Sequence, residues 1–249
     1  PRWRGSYRVI FGAPLDAEYM AHGWTSHFCL WDRADSPEHH LDVFSKPPRV
    51  AMVETGPESD RFASRHMLAQ MKRTDRERDW PIVDGLGLQL RRLDPEQALL
   101  HIMDARLLRE FWEQAPPAAR EVASRRRPVL QLLRSDPDPD VLDARLRLER
   151  VIWETVNQER YRLYEAAWKE FYRAWRADES FEWPTSEPCR RQHERLCEAA
   201  ARFGLTRDPI GQVGRRALYD RALSRAAVRA DSTPEKVAEV QPPIAEILP

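Results

Sequence analysis

Glycine is scarce in this chain. Only 9 of its 249 residues are Gly, about half the usual ~7%. Gly serves where backbone must approach a phosphate or turn tightly around a ligand, so its scarcity argues against the Gly-rich loops of nucleotide enzymes. No Walker A or GxSxG pattern is present. "DWPIVDGLGLQL" (79–90) holds Gly85 and Gly87 but no third Gly, so a dinucleotide-binding turn is not supported and the stretch reads as a loop. Lys is nearly absent: Lys46, Lys72, Lys169 and Lys236 are all there are, and the other basic residues are Arg. The 40 basic residues meet 40 acidic ones, for a formal net charge of zero. A protein dedicated to coating nucleic acid would carry a basic excess to release counterions. The Cys count is three (Cys29, Cys189, Cys197), an odd number without a disulfide framework, which fits a reducing, intracellular compartment. No run of 18 apolar residues occurs, so nothing reads as a membrane span. The first residue is Pro1, not Met, which is compatible with a removed initiator Met or a cut precursor. No signal-peptide pattern follows it.

What is plentiful is Pro (20), Trp (nine) and charge (32%). That mixture suits helices joined by stiff, extended segments on a well-solvated surface. Residues 1–56 read as an irregular, partly extended N-terminal arm. Its short β-like pieces are at 7–11, 27–31 and 50–53, separated by Pro14, Pro37, Pro47 and Pro48. Residues 57–78 are expected to form a helix. Asp94 as N-cap, Pro95 at N1 and Gln97 at N3 predict a helix start. Leu99, Ile102, Met103, Leu107, Phe111 and Trp112 supply its apolar stripe to Pro116 and Pro117. A shorter helix, 118–134, is interrupted at Pro128. "SDPDPD" (135–140) is a stiff loop that puts carboxylates at a helix N-terminus, where the dipole favours them.

From Asp140 to Ala177 there is neither Gly nor Pro, which predicts one helix roughly 55 Å long. A single globule of this chain length would be roughly 46 Å across. Such a helix should protrude, kink or lie along another molecule. Beyond it, Ser186 is a candidate cap for a helix over 187–203 that Gly204 and Leu205 stop in a Schellman turn. A further helical region runs over 209–230, and Thr233 caps a short one begun by Pro234. The tail "QPPIAEILP" is apolar and Pro-rich, suited to docking in extended form. The expected fold is therefore mainly α and elongated: an arm (1–56), a helical domain (57–230) and a short helix with a Pro-rich tail (231–249).

The long helix contains "YRLYEAAWKEFYRAW" (161–175), in which Tyr161, Tyr164, Trp168, Phe171 and Trp175 recur at steps of three and four. The flank of Arg162, Glu165, Lys169, Glu170 and Arg173 is polar, and Glu165–Lys169 is a well-oriented i,i+4 pair. Each buried ring covers ~150–250 Å², so the row either packs on other helices of the chain (94–114 and 187–203) or docks on another subunit. It is the candidate partner-binding surface. Base stacking is disfavoured, because single-strand platforms need a basic groove and here acids are interleaved.

Other motifs point to bland roles. Cys189, His193 and Cys197 stand at i, i+4 and i+8, and one straight helix does not wrap a tetrahedral ion with three such ligands. His193-Glu194-x-x-Cys197 lacks the second His of the HExxH pattern. His27, Cys29, His39 and His40 are the other group of possible ligands, and their spacing matches no known site, so they read as surface residues. Asp136, Asp138 and Asp140 have EF-hand spacing, but Val141 stands where Gly is needed and Arg147 where Glu is. Arg125, Arg126 and Arg127 form the densest basic run and read as a solvated helix end.

The sequence therefore points to a non-enzymatic accessory subunit of a large assembly, without cofactor or metal. The host favoured is a mitochondrial respiratory or ATP synthase-type complex, with the chain on its periphery. An alternative is a nucleic-acid-associated protein in which 187–203 and 209–230 form a helix-turn-helix-like unit with Arg215, Arg216, Arg221 and Arg225 outward. A metal-dependent enzyme at Cys189/His193/Cys197 is a third reading.

Overall fold

The computed structural model describes residues 4–7, 12–31, 38–45, 47–50, 55–56, 59–185 and 187–249. Among these the chain is mainly helical, with a few short strands. It packs as two compact units, each built from separated stretches: Pro1–Pro47 with Arg160–Gly214, and Pro48–Glu159 with Arg215–Pro249.

The first unit begins with β1 (Arg4–Tyr7), then α1 (Ala17–Ala21), β2 (Ser26–Trp31) and β3 (His39–Val43). They form an antiparallel sheet in the order β1-β2-β3. Its register sets Tyr7 opposite Phe28 and Cys29 opposite His40. The arm is thus a small sheet, and of the strands expected there 27–31 is a strand. The pieces expected at 7–11 and 50–53 fall mostly outside the described residues. Alternation along β2 sends Ser26 and Phe28 inward, as a half-buried strand requires. The Asp16 side chain caps α1 by accepting from the Glu18 amide, at 2.9 Å. Gly23 then turns the chain at φ +81°, and a Cβ there would lie 2.8 Å from the Tyr164 hydroxyl. Positive φ and that close approach together require Gly.

The second unit starts with a hairpin of β4 (Thr55–Gly56) and β5 (Ser59–Ala63), followed by α2 (Arg65–Lys72). The helix expected over 57–78 is therefore confined to its middle. The Ser64 hydroxyl accepts from the Met67 amide at 3.1 Å and starts it. The stretch 79–90, expected as a loop, is a helix, α3 (Trp80–Leu90), with Pro81 in its first turn. Gly87 serves packing: a Cβ there would come within 3.1 Å of His101 Cβ, whereas one on Gly85 would meet nothing within 4 Å. The helix expected from Pro95 to the Pro pair is two, α4 (Pro95–His101) and α5 (Ala105–Gln114). Asp84 causes the break by accepting from the amides of Met103 and Asp104, while Asp104 caps α5 through the Leu107 amide. Asp94 caps α4 through the Gln97 amide, as the sequence predicts.

After α6 (Pro117–Arg126) and a 3-10 stretch (Pro128–Ser135) comes α7 (Pro139–Arg176), the long helix. Residues up to Glu159 belong to the second unit and those from Arg160 to the first. Next is α8 (Cys189–Arg202), whose expected cap Ser186 lies outside the described residues. Gly204 at φ +70° ends it, with the Leu205 amide donating to the Ala200 carbonyl, the expected Schellman turn. The region 209–230 is broken at Gly214 (φ +87°) into α9 (Pro209–Val213) and α10 (Arg215–Arg229). Thr233 caps α11 (Pro234–Val240). The tail, expected to be extended, folds into α12 (Ile244–Ile247), with Ile247 and Leu248 buried. No helix among the described residues is long and apolar enough to cross a membrane.

Candidate functional site

Four rings of the aromatic row belong to the core of the first unit: Tyr164, Trp168, Phe171 and Trp175 are each at most 5% exposed. Tyr161, at 48%, is not. The rings pack with Tyr7, Tyr19, Trp24 and Phe28 from the N-terminal sheet and with Leu196, Ala199 and Ala200 from α8. The sequence anticipates α8 as a partner; the sheet was hidden in an arm that reads as irregular. The 94–114 region, also expected against the row, belongs to the other unit. Trp24 meets the Tyr164 ring edge-on at 5.0 Å, and its indole N–H donates to the carbonyls of Thr206 and Arg207 at 3.1 and 3.0 Å. The Tyr164 hydroxyl donates to the His22 carbonyl at 2.6 Å. The polar handles of Trp24 and Tyr164 thus both have a backbone acceptor, which is what allows Trp and Tyr into a core.

A neighbouring face of α7 is open. Tyr161, Glu165, Trp168, Lys169, Tyr172, Arg173, Arg176 and Ala177 line a groove of about 610 Å³. Its floor is aromatic: Tyr172 stacks on Trp168 at 5.9 Å and 11°. Its charge is basic. Glu165, the one acid in the lining, is paired with Lys169 at 2.9 Å. That leaves Arg173 and Arg176, the latter over the Tyr172 ring at 5.9 Å. The period that marks the buried stripe also places 165, 169, 172, 173 and 176 beside it. Tyr172, four residues beyond Trp168, and Arg176 are legible in that period although they lie outside the five-ring row.

The second unit holds a buried polar cluster that the sequence does not announce. The Arg73 guanidinium donates to His101 Nδ1 at 3.0 Å and to the Leu100 carbonyl. His101 Nε2 then carries the proton and donates to His66 Nδ1 at 2.8 Å. Burial, reinforced by the charge of Arg73, pushes His66 down to about 4 and His101 well below the ordinary histidine range. Burial likewise lowers Arg73 to about 10, and its guanidinium lies 4.5 Å from the Trp153 ring centre. Perturbed titrations of this kind often mark active sites. Here the enclosed space is about 10 Å³, room for a single water-sized group and far below a substrate pocket of ~300–1,000 Å³. The cluster is a polar core.

The other highlighted residues are spoken for locally. Arg127 Nη2 meets Glu149 at 2.8 Å in full burial, and its Nη1 donates to the carbonyls of Leu99 and Ile102 at the end of α4. Arg126 bridges Glu96 and Glu246, and Arg125 pairs with Glu121. The basic run is thus two parts internal scaffold to one part solvated end. Arg221 and Arg225 both neutralise buried Glu159, and Arg216 pairs with Asp220. The 209–230 part of the helix-turn-helix reading is divided between the units, α9 with α8 in the first and α10 in the second. In α8, His193 Nδ1 is 2.7 Å from the Tyr7 hydroxyl, and Cys197 Sγ is 3.6 Å from His193 Nε2. Burial pushes the thiols of Cys189 and Cys197 up, which disfavours the thiolate a metal needs. No known protein family, curated protein or solved structure matches this chain.

Proposed function

We propose that the chain is a non-enzymatic accessory subunit that works by protein–protein docking, and that the α7 groove receives an acidic, apolar-bearing segment of its partner. The observation that carries this reading is the groove itself, an aromatic floor rimmed by Arg173 and Arg176 with its single acid already paired. Aromatic rings and Arg are the residue types that dominate interface energetics. An acidic partner segment complements the rim, while its apolar side chains meet Tyr172 and the edge of Trp168. The four buried rings then act as the rigid backing of the interface, with Tyr161 as the ring of the row placed to touch a partner. The nucleic-acid alternative is less well supported, because Arg126, Arg127, Arg221 and Arg225 are engaged with carboxylates of the chain.

The test is native purification at low salt from the source cells, comparing the wild type with Arg173→Glu/Arg176→Glu. Cross-linking should place an acidic partner peptide on residues 161–177, and the double variant should bind that partner about tenfold or more weakly while keeping its circular dichroism. A partner that binds both forms equally, or a wild type that purifies only as a monomer, refutes the docking reading.

A further inference from the structure

The N-terminal sheet carries a group that the docking reading does not use. In β2 and β3, Cys29 stands directly opposite His40. Strand alternation places residues two apart on one face, so Glu38, just ahead of β3, shares the face of His40 and Cys29. Ligand atoms of Cys29, Glu38 and His40 all lie within 4.8 Å of one another. Cys29 is half-buried, while Glu38 and His40 are exposed. His27 is one pair along the same face, bound to Asp42 at 2.6 Å.

From this we infer a transition-metal site on the outer face of the β2–β3 hairpin, with Cys29, Glu38 and His40 as ligands and Zn²⁺ as the ion. The donor set decides the metal. A thiolate, an imidazole and a carboxylate together suit Zn²⁺, whereas Ca²⁺ and Mg²⁺ take oxygen ligands. Three protein ligands leave one tetrahedral position for water. Binding converts the Cys29 thiol to a thiolate, so one proton leaves as the Zn–S bond forms, and affinity rises with pH. The sequence offers Cys29 and His40 as possible ligands but shows no metal-site spacing, because they come from two strands. Cys29 and His40 are distant in sequence and adjacent only through pairing, so no C-x₂-C or H-x₃-H spacing appears.

The test uses the full chain and Co²⁺ as a spectroscopic substitute for Zn²⁺. The wild type should take up one Co²⁺ with a near-ultraviolet thiolate-to-metal charge-transfer band, and Zn²⁺ should bleach it. Cys29→Ser should abolish the band. His40→Asn and Glu38→Gln, both at exposed positions, should each weaken binding at least tenfold with unchanged circular dichroism. Cys189→Ser/Cys197→Ser should leave the band intact. Absence of a thiolate band in the wild type overturns the site, and so does a band that survives Cys29→Ser or is lost with the α8 cysteines.

Discussion

Acid should destabilise the second unit through His66, and the size of the effect follows from its environment. In the unfolded chain this imidazole titrates near 6.5; in the native state it is held down to about 4. Below pH 6.5 the unfolded chain therefore binds a proton that the native state refuses. Stability is full above pH 6.5 and is lost as pH falls toward 4. At pH 5 that one group costs about 2 kcal/mol relative to pH 7, and His101 acts in the same direction. The clean perturbation is His66→Asn, because the Asn carbonyl can replace Nδ1 as acceptor for the His101 Nε2 proton. Asp79 and Asp84, whose carboxyls are shifted down and up respectively, titrate alike in both proteins and cancel in the comparison. Urea unfolding followed by far-ultraviolet circular dichroism, at pH 7 and pH 5, measures the difference. Amide exchange in α4 assigns it to the second unit. The wild type should lose about 2 kcal/mol more than His66→Asn over this range. An equal loss in the two proteins would refute the neutral, buried histidine pair.

Two further substitutions probe the scaffold. Arg127→Ala strands Glu149 in the core and should cost about 3–5 kcal/mol; Arg127→Met combined with Glu149→Leu should recover most of it in the same urea titration. Gly23→Ala forces a Cβ against the Tyr164 hydroxyl at a φ that L residues avoid, and should lower stability by about 1–3 kcal/mol, read as a reduced thermal midpoint; an unchanged midpoint would mean that the 22–24 turn has another conformation.

Legibility in the sequence followed the range of the interaction. The caps of α4 and α11 and the Schellman stop of α8 depend on residues within a few positions, and all three were readable. So was α7, a long stretch free of Gly and Pro. The helix α3 was not, because Gly85 and Gly87 look like turn residues, and only the neighbour His101 shows why Gly87 has no Cβ. The break at Ile102 was hidden for a similar reason: it depends on Asp84, a side chain from another helix. The aromatic row was recognised as an apolar surface, but its cover came from residues 7–28, far away in the chain. A charge at Trp168 or Trp175 attacks a core, so only the groove residues beside it separate docking from folding. The histidine cluster leaves no local trace, since contact between elements creates it; of the hairpin ligands, Cys29 and His40 stand out as residue types but Glu38 and the pairing that joins them do not.

The division of α7 between two discontinuous units has a consequence for synthesis. Residues 1–47 carry Tyr7, Tyr19, Trp24 and Phe28, whose core partners lie at 164–205. At roughly 5–20 residues per second, the ribosome needs on the order of ten seconds to deliver those partners after the N-terminal strands emerge. During that interval the second unit's own middle segment is being made, and Tyr7, Tyr19, Trp24 and Phe28 wait for their core partners from 164–205. The order of translation thus sets a window in which the part of the core that those rings form with 164–205 is still unmade.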